Sequence, residues 1–143
     1  MALLVIDGNE AILGRVAAYA AKQALLGSTV KIVNSEKLVV SGAPRTTIDE
    51  AKRMKTMGVP RKGPYYSRLP DRYVRRVVRG MLPYKSAHGR DAYARVLCYL
   101  GVPTEFANET LVRVPGADAS KLPNRKRVTI GRICAEFGGK HYE

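Results

Sequence analysis

The sequence predicts an α/β layered domain with a mostly parallel sheet, and three observations carry that prediction. Short apolar or β-branched runs alternate with segments of helical period along much of the chain. Glycine, proline and asparagine punctuate the junctions between them. A chain of 143 residues, 45% hydrophobic, suits one domain that buries roughly 68% of its unfolded surface. Alternation of this kind lays helices on a sheet whose neighbouring strands run parallel. Residues 1–143 are accordingly read as a single domain.

Leu3–Ile6 is a short apolar run ended by Asp7-Gly8-Asn9 and reads as a buried strand. Leu13, Val16, Ala17, Ala20, Ala21, Ala24 and Leu25 then keep helical spacing, with Gly27 as the stop. The small alanines suit a helix lying close against a sheet. Thr29–Asn34 is β-branched and reads as a second strand, and Lys37–Val40 as a further extended piece ending at Ser41-Gly42. Thr47-Ile48-Asp49-Glu50 has the form of a capping box, opening a helix that runs to Met57 before Gly58. From Val59 to Leu69, Pro60, Gly63, Pro64 and the following Pro70 break any regular element, leaving an extended basic loop. A helix follows from Pro70 to the Gly80-Met81-Leu82-Pro83 stop, another fits Gly89–Arg95, and Val96–Leu100 reads as a strand. Residues 102–143 read as an irregular extension closed by a short helix. Ile130, Ile133, Cys134 and Phe137 lie on one side of that helix, and Gly138-Gly139 end it.

Charge is distributed very unevenly over this plan. Between Lys52 and Arg95 stand thirteen Lys/Arg against two acids, Asp71 and Asp91, a net of +11 out of +13 for the whole chain. An excess packed into one third of the length points to a polyanionic partner. Within it, Arg72, Arg75, Arg76 and Arg79 recur at i, i+3, i+4, i+7, and Val74, Val77, Val78 and Met81 repeat that spacing two positions out of phase. They form two stripes of one helix, one guanidinium and one apolar, with Arg68 as an extension of the charged one. Pro70 is tolerated in a first helical turn and Asp71 suits the positive end of the helix dipole. Like charges on adjacent turns repel by roughly 0.2–0.5 kcal/mol per i,i+4 pair, so an external anion is needed to offset them. A solvated face would be served by lysine. An all-arginine stripe suits bidentate phosphate binding.

Other chemistries find little support. His88 and His141 are the only histidines and lie far apart, which argues against a histidine metal site. His88, in Lys85-Ser86-Ala87-His88-Gly89-Arg90, reads as an RNA contact or a helix cap, and His141 as a solvated residue. Asp49-Glu50 is first-turn charge on a helix, and no GxSxG elbow or GxxxxGK[ST] phosphate loop is present. Ser41-Gly42-Ala43-Pro44 reads as a connecting turn, with an anion site at the following helix start as the alternative. Tyr65 and Tyr66 are open to two readings, stacking on unpaired bases or pinning the loop to its own core. Cys98 and Cys134, far apart and without a CxxC partner, read as buried thiols. No run approaches the ~18–20 apolar residues of a membrane span. The start Met1-Ala2-Leu3-Leu4-Val5-Ile6-Asp7 has no basic leader, so a cytoplasmic protein is expected.

Three motifs in order then carry a resemblance. Val78-Arg79-Gly80-Met81-Leu82-Pro83 resembles the signature of the ribosomal protein L-thirteen family of the large subunit. Leu13-Gly14-Arg15-Val16-Ala17 is similar to that family's helix start, and Asn34-Ser35-Glu36-Lys37 followed by Ser41-Gly42 to its Asn-x-Glu-Lys segment. The resemblance covers roughly Ile6 to Gly101 and is of the archaeal and eukaryotic type. Tyr99-Leu100-Gly101-Val102-Pro103-Thr104-Glu105-Phe106 stands where bacterial members often carry His-Pro-His. It implies a three-layer α/β/α sandwich around a four-stranded, mostly parallel sheet. It also implies a structural role in the large ribosomal subunit with binding of large-subunit rRNA, support of early assembly and no catalysis.

Phosphate clamping is assigned on this reading to Arg72, Arg75, Arg76 and Arg79. Arg61, Lys62 and Arg68 reach from the loop, while Lys85, His88 and Arg90 extend the surface past a turn in which Gly80 and Pro83 direct Met81 and Leu82 inward. The expected partners are large-subunit rRNA and neighbouring large-subunit proteins, with no cofactor, metal, membrane or small-molecule substrate. Two rivals stand beside it: a free translational regulator using the same surface on messenger RNA, and a small α/β enzyme with an acid/base set near Gly8 or Gly42.

Overall fold

The computed structural model describes residues 2–142. Its main sheet has four parallel strands in the order β4-β2-β1-β5, with β1 Leu3–Asp7, β2 Thr29–Val33, β4 Val96–Cys98 and β5 Leu111–Val112. Register explains the burial. Leu4 pairs with Val30 and Val30 with Val96, while Ile6 pairs with Ile32 and Ile32 with Cys98. Because strand side chains alternate, these two rows face the same way and meet the helices in the main core. Val5 and Val33 face the other way, under Phe106 and Tyr99, so the layer on that side is thin.

The helices are α1 Leu13–Leu25, α2 Pro44–Thr56, α3 Pro70–Met81, α4 Ala87–Ala94 and α5 Ile130–Glu136. Along α1, Val16, Ala17, Ala20 and Ala24 are wholly buried, the close approach that its alanines predict. Its C-terminus is a Schellman turn: Gly27 at φ +99° lets the Ser28 amide reach the Gln23 carbonyl and its own amide reach that of Ala24, each at 3.1 Å. On α3, Val74 and Val78 are fully buried against this core. A second, antiparallel pair joins β3 Val39–Ser41 to β6 Arg127–Thr129.

Two of the sequence motifs are staples of this fold. Asn34 sits in the left-handed region (φ 55°) and donates from Nδ2 to Asp7 Oδ1 at 2.8 Å, while the buried Glu36 accepts the Gly101 amide at 3.1 Å. These bonds tie the ends of β1 and β2 to the segment after β4. Arg15 donates to the Gly116 carbonyl at 2.5 Å, holding α1 to the tail.

Several elements differ from expectation. The helix expected to open with a capping box at Thr47 begins at Pro44, which serves as its first residue; Thr47 lies inside it and makes no cap. Lys37–Val40 is no strand of the main sheet: Ser35–Lys37 is a 3₁₀ turn, and Val39–Ser41 pairs outside that sheet. The fourth strand is instead β5, two residues long, and both β5 and β6 lie in the stretch read as irregular. The strand expected to reach Leu100 stops at Cys98. Met81, expected to turn inward with Leu82, is 43% exposed, whereas Leu82 is buried. Gly80 is an ordinary residue of α3. What tightens the following turn is Gly89: a Cβ there would stand 2.0 Å from the Pro83 carbonyl oxygen.

Candidate nucleic-acid interface

The structure narrows the basic segment. Lys52 pairs with Glu136 at 2.9 Å and Arg53 with Glu50 at 2.6 Å. The Lys55 ammonium lies over the Phe137 ring and donates to that residue's carbonyl. Arg95 donates to the Ala24 carbonyl at 3.2 Å. The excess charge left for a partner therefore begins at Arg61. Arg61, Lys62, Arg68, Arg72, Arg79, Lys85, His88 and Arg90 are exposed, and Arg75 and Arg76 are half-buried. Among the described residues, the charged side chains of these ten pair with no carboxylate within 4.0 Å.

What holds the arginines in place is aromatic. Helix α3 presents Arg75, Arg76 and Arg79 to three different tyrosines. The Arg75 guanidinium lies 4.4 Å from the centre of the Tyr93 ring, that of Arg76 4.0 Å from Tyr66, and that of Arg79 4.1 Å from Tyr84. Tyr84 and Tyr93 meet edge to face at 5.5 Å, linking the Arg75 and Arg79 stacks through α4. Each contact is attractive by ~0.5–1 kcal/mol at an exposed site, and offsets repulsion along the stripe. It also restricts a side chain that otherwise carries about 2 kcal/mol of rotamer entropy.

The four members of the stripe are not equivalent. Arg75 Nε donates to the Val96 carbonyl at 3.0 Å, so this residue also fastens α3 to β4. Arg76 donates to the Tyr65 carbonyl and, with Tyr66 beneath it, secures the Val59–Leu69 loop; Tyr65 donates its hydroxyl to the Pro60 carbonyl at 2.8 Å. The pinning role is thus occupied by Tyr66. Arg72 is exposed, and among the described residues its side chain has no hydrogen-bond, ion-pair or ring partner.

Arg76, Arg79 and Lys85 converge on an open groove of about 700 Å³, lined also by Gly80, Leu82, Pro83, Tyr84 and Ser86. The far wall is rigid: Ser86 caps α4 by accepting the Gly89 amide at 3.1 Å and donates its hydroxyl to the Pro83 carbonyl at 2.8 Å. Ser86, not His88, is therefore the cap, and His88 is left exposed on the first turn of α4. Arg90 reaches back toward the Lys85 carbonyl at 3.4 Å. Arg68 does not continue the stripe. It precedes the helix and borders a separate hollow with Gly138, Gly139, Lys140 and Tyr142. Sequence reasoning missed Tyr84, Tyr93 and Gly89, whose partners are brought together by side-chain contacts of α3 arginines with the Tyr84–Tyr93 segment and by the close approach of Gly89 to Pro83.

The crevice where open α/β sheets often hold a ligand lies outside β1, between the strands at which the order reverses. It is small, about 180 Å³. All three of its carboxylates are engaged in structure: Asp7 accepts from the Asn9 amide at 3.0 Å and from Asn34, with Arg113 3.7 Å away, Glu10 pairs with Arg127 at 2.8 Å, and Asp118 accepts the Ser120 amide at 3.1 Å. The acid/base set of the enzymatic rival is therefore not assembled there. At the other proposed position, the Gly42 amide donates to the Lys126 carbonyl at 2.9 Å and serves the connecting turn. Among the described residues no group of three potential metal ligands occurs, and no helix is long and apolar enough to cross a membrane.

Comparison with known proteins gives the family of the chain. The profile of the family described as Ribosomal protein L13 matches residues 2–105. The large ribosomal subunit protein uL13 of Methanococcoides burtonii is 45% identical over 138 residues, covering 96% of this chain and 99% of its own. Its namesake from Methanosarcina barkeri is 42% identical over 139 residues, with 96% and 99% covered. That of Aeropyrum pernix is 40% identical over 142 residues, with 96% and 90% covered. The chain belongs to the ribosomal protein L13 family, which is not a family of enzymes.

Proposed function

We propose that this protein is a structural constituent of the large ribosomal subunit. It binds large-subunit rRNA through the surface built on α3, the preceding loop and the Pro83–Arg90 segment, and supports early subunit assembly. The observation that carries the reading is the set of basic residues left without acidic partners. Arg72, Arg76, Arg79, Lys85 and Arg90 lie together on or beside one groove, with Arg61, Lys62 and His88 on the flanking exposed segments and Arg68 beyond them. A cationic face of this density on a folded scaffold is matched by the phosphates of a folded RNA. Specificity then follows from RNA shape, because fixed guanidinium groups fit only one spatial arrangement of phosphates. Arg75 contributes mainly by holding α3 to β4. The names of the relatives support the choice of RNA, and neighbouring large-subunit proteins would meet the faces that the RNA leaves open.

Sedimentation of a cell extract containing the tagged chain tests this reading. The protein is expected to travel with the large subunit and to leave it when Arg72, Arg76 and Arg79 are replaced together by Gln. Recovery of the wild-type chain only in light fractions, bound to messenger RNA, would instead establish the free regulator.

A further inference from the structure

Gly80 has no internal reason to be glycine. It is an exposed residue in the last turn of α3, its φ is not positive, and a Cβ built on it meets nothing within 4 Å. Alanine would favour the helix there. Gly89, by contrast, is glycine because the Pro83 carbonyl lies against it. Yet Gly80 lines the groove between Arg79 and the Pro83–Ser86 turn.

The backbone at this point is equally suggestive. Pro83 has no amide, and the Tyr84 amide turns to the Leu82 carbonyl at 2.8 Å. Among the described residues, no backbone amide therefore closes on the Gly80 carbonyl. The exposed helix end thus holds an acceptor without a hydrogen-bond partner among the described residues, beside guanidinium groups without an acidic partner. A free phosphate satisfies only the second feature. A ribose-phosphate satisfies both, because its hydroxyl donates while its phosphate accepts.

Resting on the RNA-binding reading, we propose that this groove seats the backbone of one RNA strand in direct contact with Gly80. The ribose packs on the Gly80 Cα and donates its 2′-hydroxyl to the Gly80 carbonyl. The adjoining phosphate lies on Arg79, held by Tyr84, with Arg76 and Lys85 on either side. The missing Cβ is the room that the sugar occupies. The site thereby distinguishes RNA from DNA, which charge alone does not.

The test uses the full chain, its Gly80→Ala variant and an in vitro transcript of archaeal large-subunit rRNA carrying sparse 2′-deoxy substitutions, partitioned into bound and unbound fractions. Gly80→Ala is expected to raise the melting temperature by a few degrees, roughly 2–4 °C. It is expected to weaken rRNA binding roughly tenfold with the salt dependence unchanged, since no charge is lost. For the wild type, one or two 2′-deoxy positions should be depleted from the bound fraction, and that depletion should vanish in the variant. Wild-type affinity in Gly80→Ala, or a 2′-deoxy pattern identical in the two proteins, overturns the proposal while leaving RNA binding intact. Failure of the wild type to bind the transcript overturns the RNA-binding reading, and this inference with it.

Discussion

Arg75 and Arg79 are one helical turn apart and carry the same charge, yet their surroundings give them different tasks. Arg75 is half-buried, bonded to Val96 and laid on Tyr93; Arg79 is exposed and touches Tyr84. Replacing Arg75 by Gln should lower stability by about 1.5–3 kcal/mol in urea denaturation, the range for a lost hydrogen bond from a charged group. Replacing Arg79 by Gln should leave the midpoint nearly unchanged and reduce rRNA affinity. Tyr84 acts on the RNA through Arg79. Tyr84→Leu should weaken binding severalfold at an unchanged salt slope, with Phe restoring it because the ring face is what orients the guanidinium. The thiols supply a check on burial. Burial pushes Cys98 and Cys134 up to about 12 from an ordinary 9.0. The folded chain holds their protons more tightly than the unfolded one, so this stabilisation is complete below pH 9.0 and is lost as pH rises toward about 12. Cys98, expected to be buried, is only half-buried, whereas Cys134 is fully buried. Alkylation of Cys134 by iodoacetamide at pH 8 should accordingly follow unfolding, and its fast labelling in the native chain would contradict that placement.

At the scale of elements, the turn between α3 and α4 shapes the interface. Gly89→Ala forces a Cβ to within 2.0 Å of the Pro83 oxygen. The strain should cost about 1–3 kcal/mol, seen as a lower thermal midpoint, and the shifted turn should weaken rRNA binding as well. Gly80→Ala at the opposite wall should do the reverse to stability, so the two glycines separate packing from contact. Elements with a sustained period were legible in the sequence: α1 from its alanines and α3 from its paired stripes. The strands β5 and β6 were not, because two or three residues show no alternation and their identity comes from what they pair with. The start of α2 is not legible because Pro44, which suits the preceding turn equally well, occupies the first helical position. The site was legible to the same depth. Spacing exposed the arginines, but not the supporting rings: Tyr93 lies eighteen residues beyond Arg75 and reaches it only through folding.

For the molecule as a whole, the structure separates charge that stabilises from charge that faces outward. Around α2 the basic residues pair with Glu50 and Glu136 or reach the Phe137 carbonyl. From Arg61 to Arg90 nine Lys/Arg stand against Asp71 alone, a net of +8 out of +13, and among the described residues their side chains pair with no acid. The central claim is that this surface neutralises RNA phosphates, and the salt dependence of binding measures that directly. If six to ten phosphates are engaged, affinity for large-subunit rRNA should fall roughly 10³–10⁵-fold between 50 and 200 mM salt. Replacing Arg72, Arg76 and Arg79 together by Gln should reduce the slope of log affinity against log salt by about 2–3. A wild-type complex insensitive to salt, or a slope unchanged in the triple variant, would contradict the account.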